Sequence, residues 1–301
     1  MPIMNTNFHM HKNIVPSISG RTRLACLLGH PVAHSMSPAM HNLAAQICHE
    51  DLAYLAFDTD ANHLPLLLDA LKEMNFLGAN LTMPLKTAVI PYLDELSLAS
   101  RLCHSVNTIV NDGGRLIGHS TDGIGYLDSL RDVGFDITGK TMTLLGAGGA
   151  ARSILVQAAL DGIQEIRVFK RRNQTFETSR RFLTQVERET GTPIRLLDIA
   201  DSKALARSIA GSQLLTNATS VGMAEDPRSL VDADLMHPGL FVSDIIYHPL
   251  TTPLLARARE RGLAHANGLY MLLFQGAASF KLWTGRDMPV EQIRSLFTEA
   301  T

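Results

Sequence analysis

The short run Thr141–Leu145 passes without a break into Gly146-Ala147-Gly148-Gly149-Ala150-Ala151, and apolar residues then recur at helical spacing over Ala150–Leu160. Few arrangements satisfy that order. One glycine makes the tight turn off a strand, and a second lets backbone N–H groups approach a pyrophosphate. A small last residue lets the helix pack closely on the strand. The helix N-terminus offers unpaired N–H donors and a favourable dipole to the anion. Glu165–Phe169 reads as a second strand and completes a βαβ unit, which lifts the glycine pattern above an ordinary strand-to-helix turn. The reading is a dinucleotide loop built from Gly146, Ala147, Gly148, Gly149 and Ala150.

The end of the second strand bears on which dinucleotide. An acid there binds the ribose hydroxyl of NAD, whereas Arg accommodates the phosphate of NADP. This chain has Lys170, Arg171, Arg172 and Asn173, with no acid among them. Two arginines can clamp a phosphate or stack on adenine. As a solvated charge run the segment needs no ligand at all. The chemistry leans to NADP and leaves NAD open.

Strand and helix patterns alternate elsewhere too. Leu24–Leu28, Tyr54–Phe57 and Ala79–Thr82 read as strands, with helices opening at Ser37-Pro38 and running over Leu64–Met74. Ser37 is placed to cap its helix, with Pro38 at the first position. A second series follows: a helix over Tyr126–Asp132, the unit already described, a helix over Phe176–Glu189, and strands at Ile194–Leu197, Leu214–Thr216 and Phe241–Ile246. Gly162 is placed as a left-handed stop, and Thr252-Pro253 opens a helix ending at Gly262. An apolar helix over Tyr270–Leu282 and another at Val290–Phe297 come after this series and are expected to pack back on the first. The expectation is an α/β protein with a flexible tail over 1–20. A substrate domain with a mostly parallel sheet spans 21–121 plus 269–301, and a Rossmann-like dinucleotide domain spans 122–268.

A length of 301 residues suits two domains. A net charge of −2 leaves no electrostatic footprint for nucleic acid, and no apolar stretch is long enough for a membrane span. Residues 1–20 lack the apolar core of a signal peptide and the arginines of a transit peptide. Cys26, Cys48 and Cys103 have no metal-like spacing, which suits a reducing cytoplasm. His30, His34 and His41 lie close together without a carboxylate or Cys at ligand spacing, so no metal is expected and they are read as surface or supporting residues. The expected partner is a small molecule, and the chain reads as a monomer or homodimer.

Taken in order, the motifs are similar to those of shikimate dehydrogenases, from roughly Leu24 to the C-terminus. They are Gly29-His30-Pro31-Val32-Ala33-His34-Ser35-Met36-Ser37-Pro38, Gly78-Ala79-Asn80-Leu81-Thr82-Met83-Pro84-Leu85-Lys86, Val106-Asn107-Thr108, Thr121-Asp122-Gly123, the Gly146 loop, Thr216-Asn217-Ala218-Thr219-Ser220-Val221-Gly222-Met223, Asn267-Gly268 and Gln275. The quinate/shikimate branch resembles this chain most. The resemblance implies an NAD(P)-dependent, reversible oxidation of a ring hydroxyl of shikimate or quinate, in a cleft between the two domains. Lys86 and Asp122 would be the catalytic pair. Ser35 and Ser37 would hold the substrate carboxylate, and Tyr54, Thr82, Asn107, Tyr247 and Gln275 would complete the substrate site. Thr216, Asn217, Ala218, Thr219, Val221, Met223 and Gly268 would line the cofactor.

Elementary chemistry agrees with the pair. A hydroxyl that loses hydride from its carbon must also lose its proton, and a positioned base takes it. Lys serves when burial or a neighbour tunes it, and an adjacent Asp orients it. The residues leave open which of the two carries the proton. Bland readings exist beside each role: Lys86 as a surface lysine at a helix start, Asp122 as a helix cap, Ser37 as a cap, and Gln275 as a buried amide bonded to backbone. The chain departs from the family at His104-Ser105, where Gly-Ala is usual, at Ser120, where Asn is frequent, and at Asn173, where the quinate/shikimate branch has Asp. These bear on substrate and cofactor identity. They motivate two competing readings, a dehydrogenase of a modified or amino analogue and a dinucleotide-sensing protein without turnover.

Overall fold

The computed structural model of the protein describes residues 18–298. The flexible tail expected over 1–20 thus falls almost wholly outside the described residues. Strand β1 (Arg23–Gly29) leads into helix α1 (Ser37–Ile47), strand β2 (Leu52–Asp58), helix α2 (Leu64–Glu73), strand β3 (Gly78–Leu81) and the short helix α3 (Leu85–Ala88). Strand β4 (Glu95–Leu96), helix α4 (Leu98–Cys103) and strands β5 (Thr108–Asp112) and β6 (Arg115–His119) complete a first sheet ordered β2-β1-β3-β5-β6-β4.

That sheet is mostly parallel, as expected, with one strand reversed. β1 is parallel to β2 and β3, but β5 runs antiparallel to both β3 and β6. The cause is local. Gly113 and Gly114, the two loop residues between β5 and β6, take φ of +59° and +93°. Positive φ at both central positions is the tight hairpin turn whose twist matches two antiparallel strands.

Helix α5 (Asp122–Asp132) then crosses to a second sheet. Its strands β7 (Thr141–Leu145), β8 (Glu165–Lys170), β9 (Ile194–Asp198), β10 (Leu214–Asn217), β11 (Phe241–Asp244) and β12 (His265–Ala266) lie in the order β12-β11-β10-β7-β8-β9, all parallel. Helices α6 (Gly149–Leu160), α7 (Phe176–Thr190), α8 (Ser202–Ala210) and α9 (Pro253–Glu260) make the crossovers. Strand order reverses at β7, between β8 and β10. In an open parallel sheet a ligand sits outside the carboxyl ends of the strands at such a point.

Helix α10 (Leu269–Thr284), with α11 (Val290–Ile293) and α12 (Ser295–Thr298), returns to the first sheet. Leu273, Phe280, Trp283, Ile293 and Phe297 share a core with Ala25, Leu27 and Tyr54, as the apolar pattern of the final helices implied. The last helix expected over Val290–Phe297 is two short turns instead. α5 and α10 pack closely on one another, and a Cβ on Gly125 would overlap the backbone of Gln275. These two helices join the two sheets. Among the described residues no helix is long and apolar enough to cross a membrane.

Candidate active site

The site forms where the first sheet, the start of α5 and the middle of α10 meet. Pro84 precedes α3, and buried Leu85 anchors that one-turn helix. Lys86 is held at its main chain by the bond that Val106 N–H donates to its carbonyl (2.8 Å). Its Nζ donates to Asp122 Oδ2 at 2.6 Å. Lys86 stays about one-third exposed, whereas Asp122 is largely buried. Asp122 also had a bland reading as a helix cap. The cap position belongs to Thr121, and Asp122 is the first helical residue, so its carboxylate is free to face Lys86.

Asn107 ties the pair to the rest of the site. Its Oδ1 accepts from the backbone N–H of Thr121 (2.6 Å), which fixes the orientation of the amide. Nδ2 therefore points the other way, donating to Asp122 Oδ1 (3.0 Å), Thr121 Oγ1 (2.8 Å) and Gln275 Oε1 (3.2 Å). Gln275 is buried on α10, and its Nε2 donates to the Leu272 carbonyl (2.9 Å). Both oxygens of Asp122 thus receive a donor, Lys86 from α3 and Asn107 from the approach to β5, and Gln275 on α10 joins through Asn107.

Ser35 and Ser37 lie at the entry of α1. Ser37 is the first helical residue, not the cap, which is Met36. Ser35 Oγ accepts from Ser37 N–H (3.2 Å), while Ser37 makes no side-chain cap bond. The two hydroxyls and a helix N-terminus suit a carboxylate. Thr82 closes off β3 beside them, packed so tightly on Gly29 that a Cβ there would overlap its methyl. Tyr54 does not line the cleft. It is fully buried, its amide and carbonyl are both held by Asn42, and its O–H donates to Asn80 Oδ1 (2.8 Å). The inward phase of β2 puts it behind the site. Tyr247 is exposed on the loop after β11.

At the switch point, Gly146 takes φ +109°, and a Cβ there would come within 2.6 Å of the Ala218 carbonyl. Gly148 caps α6 with no side-chain bond, and the space beside Gly148 and Gly149 is open. The first-turn N–H groups of α6 therefore face free space, and no acid lies in that turn. These features fit a pyrophosphate. Ala147 and Ala150 are half-buried around the turn. At the end of β8, Lys170 Nζ donates to Asn173 Oδ1 (2.6 Å). Burial, then Arg171 and Arg152, push the Lys170 ammonium down from its ordinary value. Arg172 lies over the Phe176 ring at 5.1 Å and within 3.7 Å of Asp198.

Two expected cofactor residues, adjacent on β10, are both buried, because a parallel sheet is covered on both faces. Thr216 is fully buried, and its hydroxyl pairs with the Tyr126 O–H (2.6 Å). Asn217 donates to Asp244 Oδ1 and to the Val221 carbonyl, both at 3.0 Å. Ala218, Thr219, Val221 and Met223 follow on the loop, where Thr219 O–H donates to Asn217 Oδ1 (2.7 Å). Gly268 packs against the Ile245 carbonyl, with no room for a Cβ.

Sequence reasoning missed Asn80, Thr108, Thr121 and Ser279, all buried beneath Asn107 and Gln275. Signals were present. Asn80 interrupts an apolar strand, and Ser279 stands one helical turn after Gln275. His41, read as a surface or supporting residue, lies in the core, stacked on Tyr54 with ring centres 4.4 Å apart. The departures at His104 and Ser120 do not reach the pair. His104 is exposed at the end of α4, and Ser120 donates to Ser153 on α6. A cavity of about 800 Å³ opens on the far side of α5 and α10, lined by Thr121, Ile124 and Phe274 but by neither Lys86 nor Asp122.

Comparison with known proteins accords with this geometry. A family model described as shikimate dehydrogenase substrate binding domain matches residues 27–109, and one described as shikimate 5'-dehydrogenase C-terminal domain matches residues 268–296. A protein of Listeria monocytogenes serotype 4b (strain F2365) named shikimate dehydrogenase (NADP(+)) is 43% identical over 289 residues, 95% of this chain and 99% of its own. The quinate/shikimate dehydrogenase of Escherichia coli (strain SMS-3-5 / SECEC) is 40% identical over 282 residues, 93% of this chain and 98% of its own. The crystal structure of shikimate 5-dehydrogenase from Listeria monocytogenes, in complex with shikimate and NAD, superimposes with a TM-score of 0.90 at 43% identity, covering 94% of this chain and 98% of that one.

Proposed function

The chain belongs to the shikimate dehydrogenase family, and from that premise we propose that its cleft oxidises a ring hydroxyl of shikimate or quinate, reversibly, at Lys86 and Asp122. The observation that carries the reading is the 2.6 Å Lys86–Asp122 contact with Asn107 completing the carboxylate. Oxidation takes a hydride from the carbon and a proton from its oxygen. The loop Gly146–Ala150 would hold a dinucleotide, which would supply the hydride acceptor for oxidation and the donor for the reverse reaction. The proton goes to the Lys86–Asp122 pair, where Nζ is open to the cleft and the carboxylate holds it in place. Ser35 and Ser37 hold the substrate carboxylate, and Thr82, Asn107 and Gln275 meet its hydroxyls.

Cofactor preference follows from the end of β8. Lys170, Arg171 and Arg152 crowd positive charge there, and a phosphate relieves that repulsion where a ribose hydroxyl does not. Asn173, in place of an acid, spends its carbonyl on Lys170. This favours NADP over NAD. The domain division at Asp122 and Leu269, a cytoplasmic location with three free thiols, and a monomeric or homodimeric state belong to the same reading. Of the three residues that motivate the analogue reading, His104 is exposed and Ser120 pairs with Ser153, while Ser105 is buried two residues before Asn107.

The test is turnover of the purified protein, followed by nicotinamide absorbance. Lys86→Ala and Asp122→Asn are expected to lower kcat by about 10²–10⁴-fold while leaving dinucleotide affinity within a factor of about two. Near-normal turnover in either variant would remove the pair from the chemistry.

A further inference from the structure

The hydroxyls beneath Asn107 form a chain whose protons are assignable. Thr121 Oγ1 accepts from Asn107 Nδ2 (2.8 Å). At the other end Ser279 O–H donates to the Gln275 carbonyl (2.9 Å), one helical turn back, and a carbonyl has no proton to return. Thr108 and Ser279 lie 2.8 Å apart, so the proton between them comes from Thr108. Asn80 Nδ2 donates to Thr108 and Ser279 at 3.0 Å each. Ser279 then has both lone pairs filled, and the Thr121 proton goes to Thr108, 3.2 Å away. The chain runs one way, from Asn107 through Thr121, Thr108 and Ser279 to the Gln275 carbonyl. Thr108 and Ser279 use every proton and lone pair, and Thr121, which also lies 3.2 Å from Ser279 Oγ, accepts one bond.

We propose that Ser279 is a positioning residue for recognition of the ring hydroxyls. Its single oxygen closes the chain that holds the Asn107 amide toward Asp122, and it joins β3, β5, the entry of α5 and α10 at one point. Thr108, Thr121 and Ser279 are all fully buried, out of reach of bulk solvent. Without the Ser279 oxygen the Thr108 proton and an Asn80 N–H lose their acceptor, and the Thr121 hydroxyl is the nearest group left to take the Thr108 proton. The Thr121 N–H still holds Asn107 Oδ1, so the disturbance falls on the Thr121 hydroxyl against which Nδ2 is set, and the Nδ2 contact with Asp122 loosens. Ser279 touches no substrate itself. The inference rests on Asn107 and Gln275 facing the substrate.

The experiment is a double-mutant cycle of Ser279→Ala and Asn107→Ala on the full chain, with shikimate, quinate and both dinucleotides. Ser279→Ala is expected to lower kcat/KM for the ring acid about tenfold, with dinucleotide affinity unchanged, and to have an effect below about twofold once Asn107 is already Ala. Ser279→Thr, which keeps the oxygen, is expected to restore most of the activity. Equal losses in both Asn107 backgrounds, or wild-type kinetics for Ser279→Ala, would overturn the proposal. Thermal melts identify a folding defect, and in that case the Ser279→Thr kinetics decide, activity near wild type supporting the proposal and a tenfold loss in a folded protein overturning it. Asn107→Ala alone reads out separately whether Asn107 faces substrate at all.

Discussion

At the scale of single residues, the polar groups around Asp122 are satisfied and two residues outside them are not at ease. His41 is fully buried, neither ring nitrogen completes a hydrogen bond with a described residue, and burial pushes its pKa down to about 3. In the unfolded chain the ring titrates near 6.5. Between those values the unfolded state binds the extra proton, so this group's contribution is intact above pH 6.5 and is lost as pH falls toward 3. The slope approaches about 1.4 kcal/mol per pH unit. Denaturant melts of His41→Phe across pH 4–7 should show that slope removed, and an unchanged slope would place its origin elsewhere. His104 is strained differently. It ends α4 at φ +53°, a left-handed conformation that costs a residue with a Cβ about 1 kcal/mol. His104→Gly is expected to raise stability by about that amount in equilibrium unfolding, with kinetics unchanged. Motif order singles out Lys86, Asp122, Ser35 and Ser37 as candidates. It does not tell that Tyr54, Thr216 and Asn217 have buried side chains, because a motif records which residue stands at a position and not what packs around it.

At the scale of elements, apolar periodicity located the strands and helices with strong patterns. Thr141–Leu145 matches β7 end for end, and the helix opened by Thr252-Pro253 has the expected cap, with Thr252 Oγ1 accepting from Leu255 N–H. Weak patterns were lost. α8 escaped notice although Asp201 caps it, and the β5–β6 hairpin escaped although Gly113-Gly114 marks its turn. Both elements follow from local chemistry that was visible, whereas the antiparallel placement of β5 beside β3 depends on pairing between segments far apart in sequence. The α5–α10 contact is of this second kind. It depends on Gly125, where a Cβ would meet the Gln275 Cα at 2.7 Å. Gly125→Ala is expected to cost about 1–3 kcal/mol and to reduce turnover by shifting Gln275, both read from one variant by melting and kinetics. A stable, fully active Gly125→Ala would mean that this helix pair tolerates separation.

At the scale of the whole molecule, two sheets of different construction are joined by two helices, and the working residues stand where those helices meet the first sheet. The parallel sheet brings an open helix N-terminus at its switch point, and the mixed sheet brings Lys86, Ser35, Ser37 and Thr82. α5 carries Asp122 from the joint between them, and α10 carries Gln275 and Ser279. The proposed division of labour between a nucleotide-holding half and a substrate-holding half rests on the position of the glycine loop late in the chain and on the final helices, whose return to the first sheet the apolar pattern made legible. The buried hydroxyl chain was not, since it draws on residues from 80 to 279 that only the folded molecule brings together. The central claim is that this joint is a dehydrogenase site for a hydroxylated ring carboxylate. Steady-state kinetics on shikimate and quinate, each with NADP and NAD, test it most directly. The account predicts turnover of at least one acid, faster in kcat/KM with NADP than with NAD. Absence of turnover in all four combinations, by a folded protein that binds dinucleotide, would contradict it.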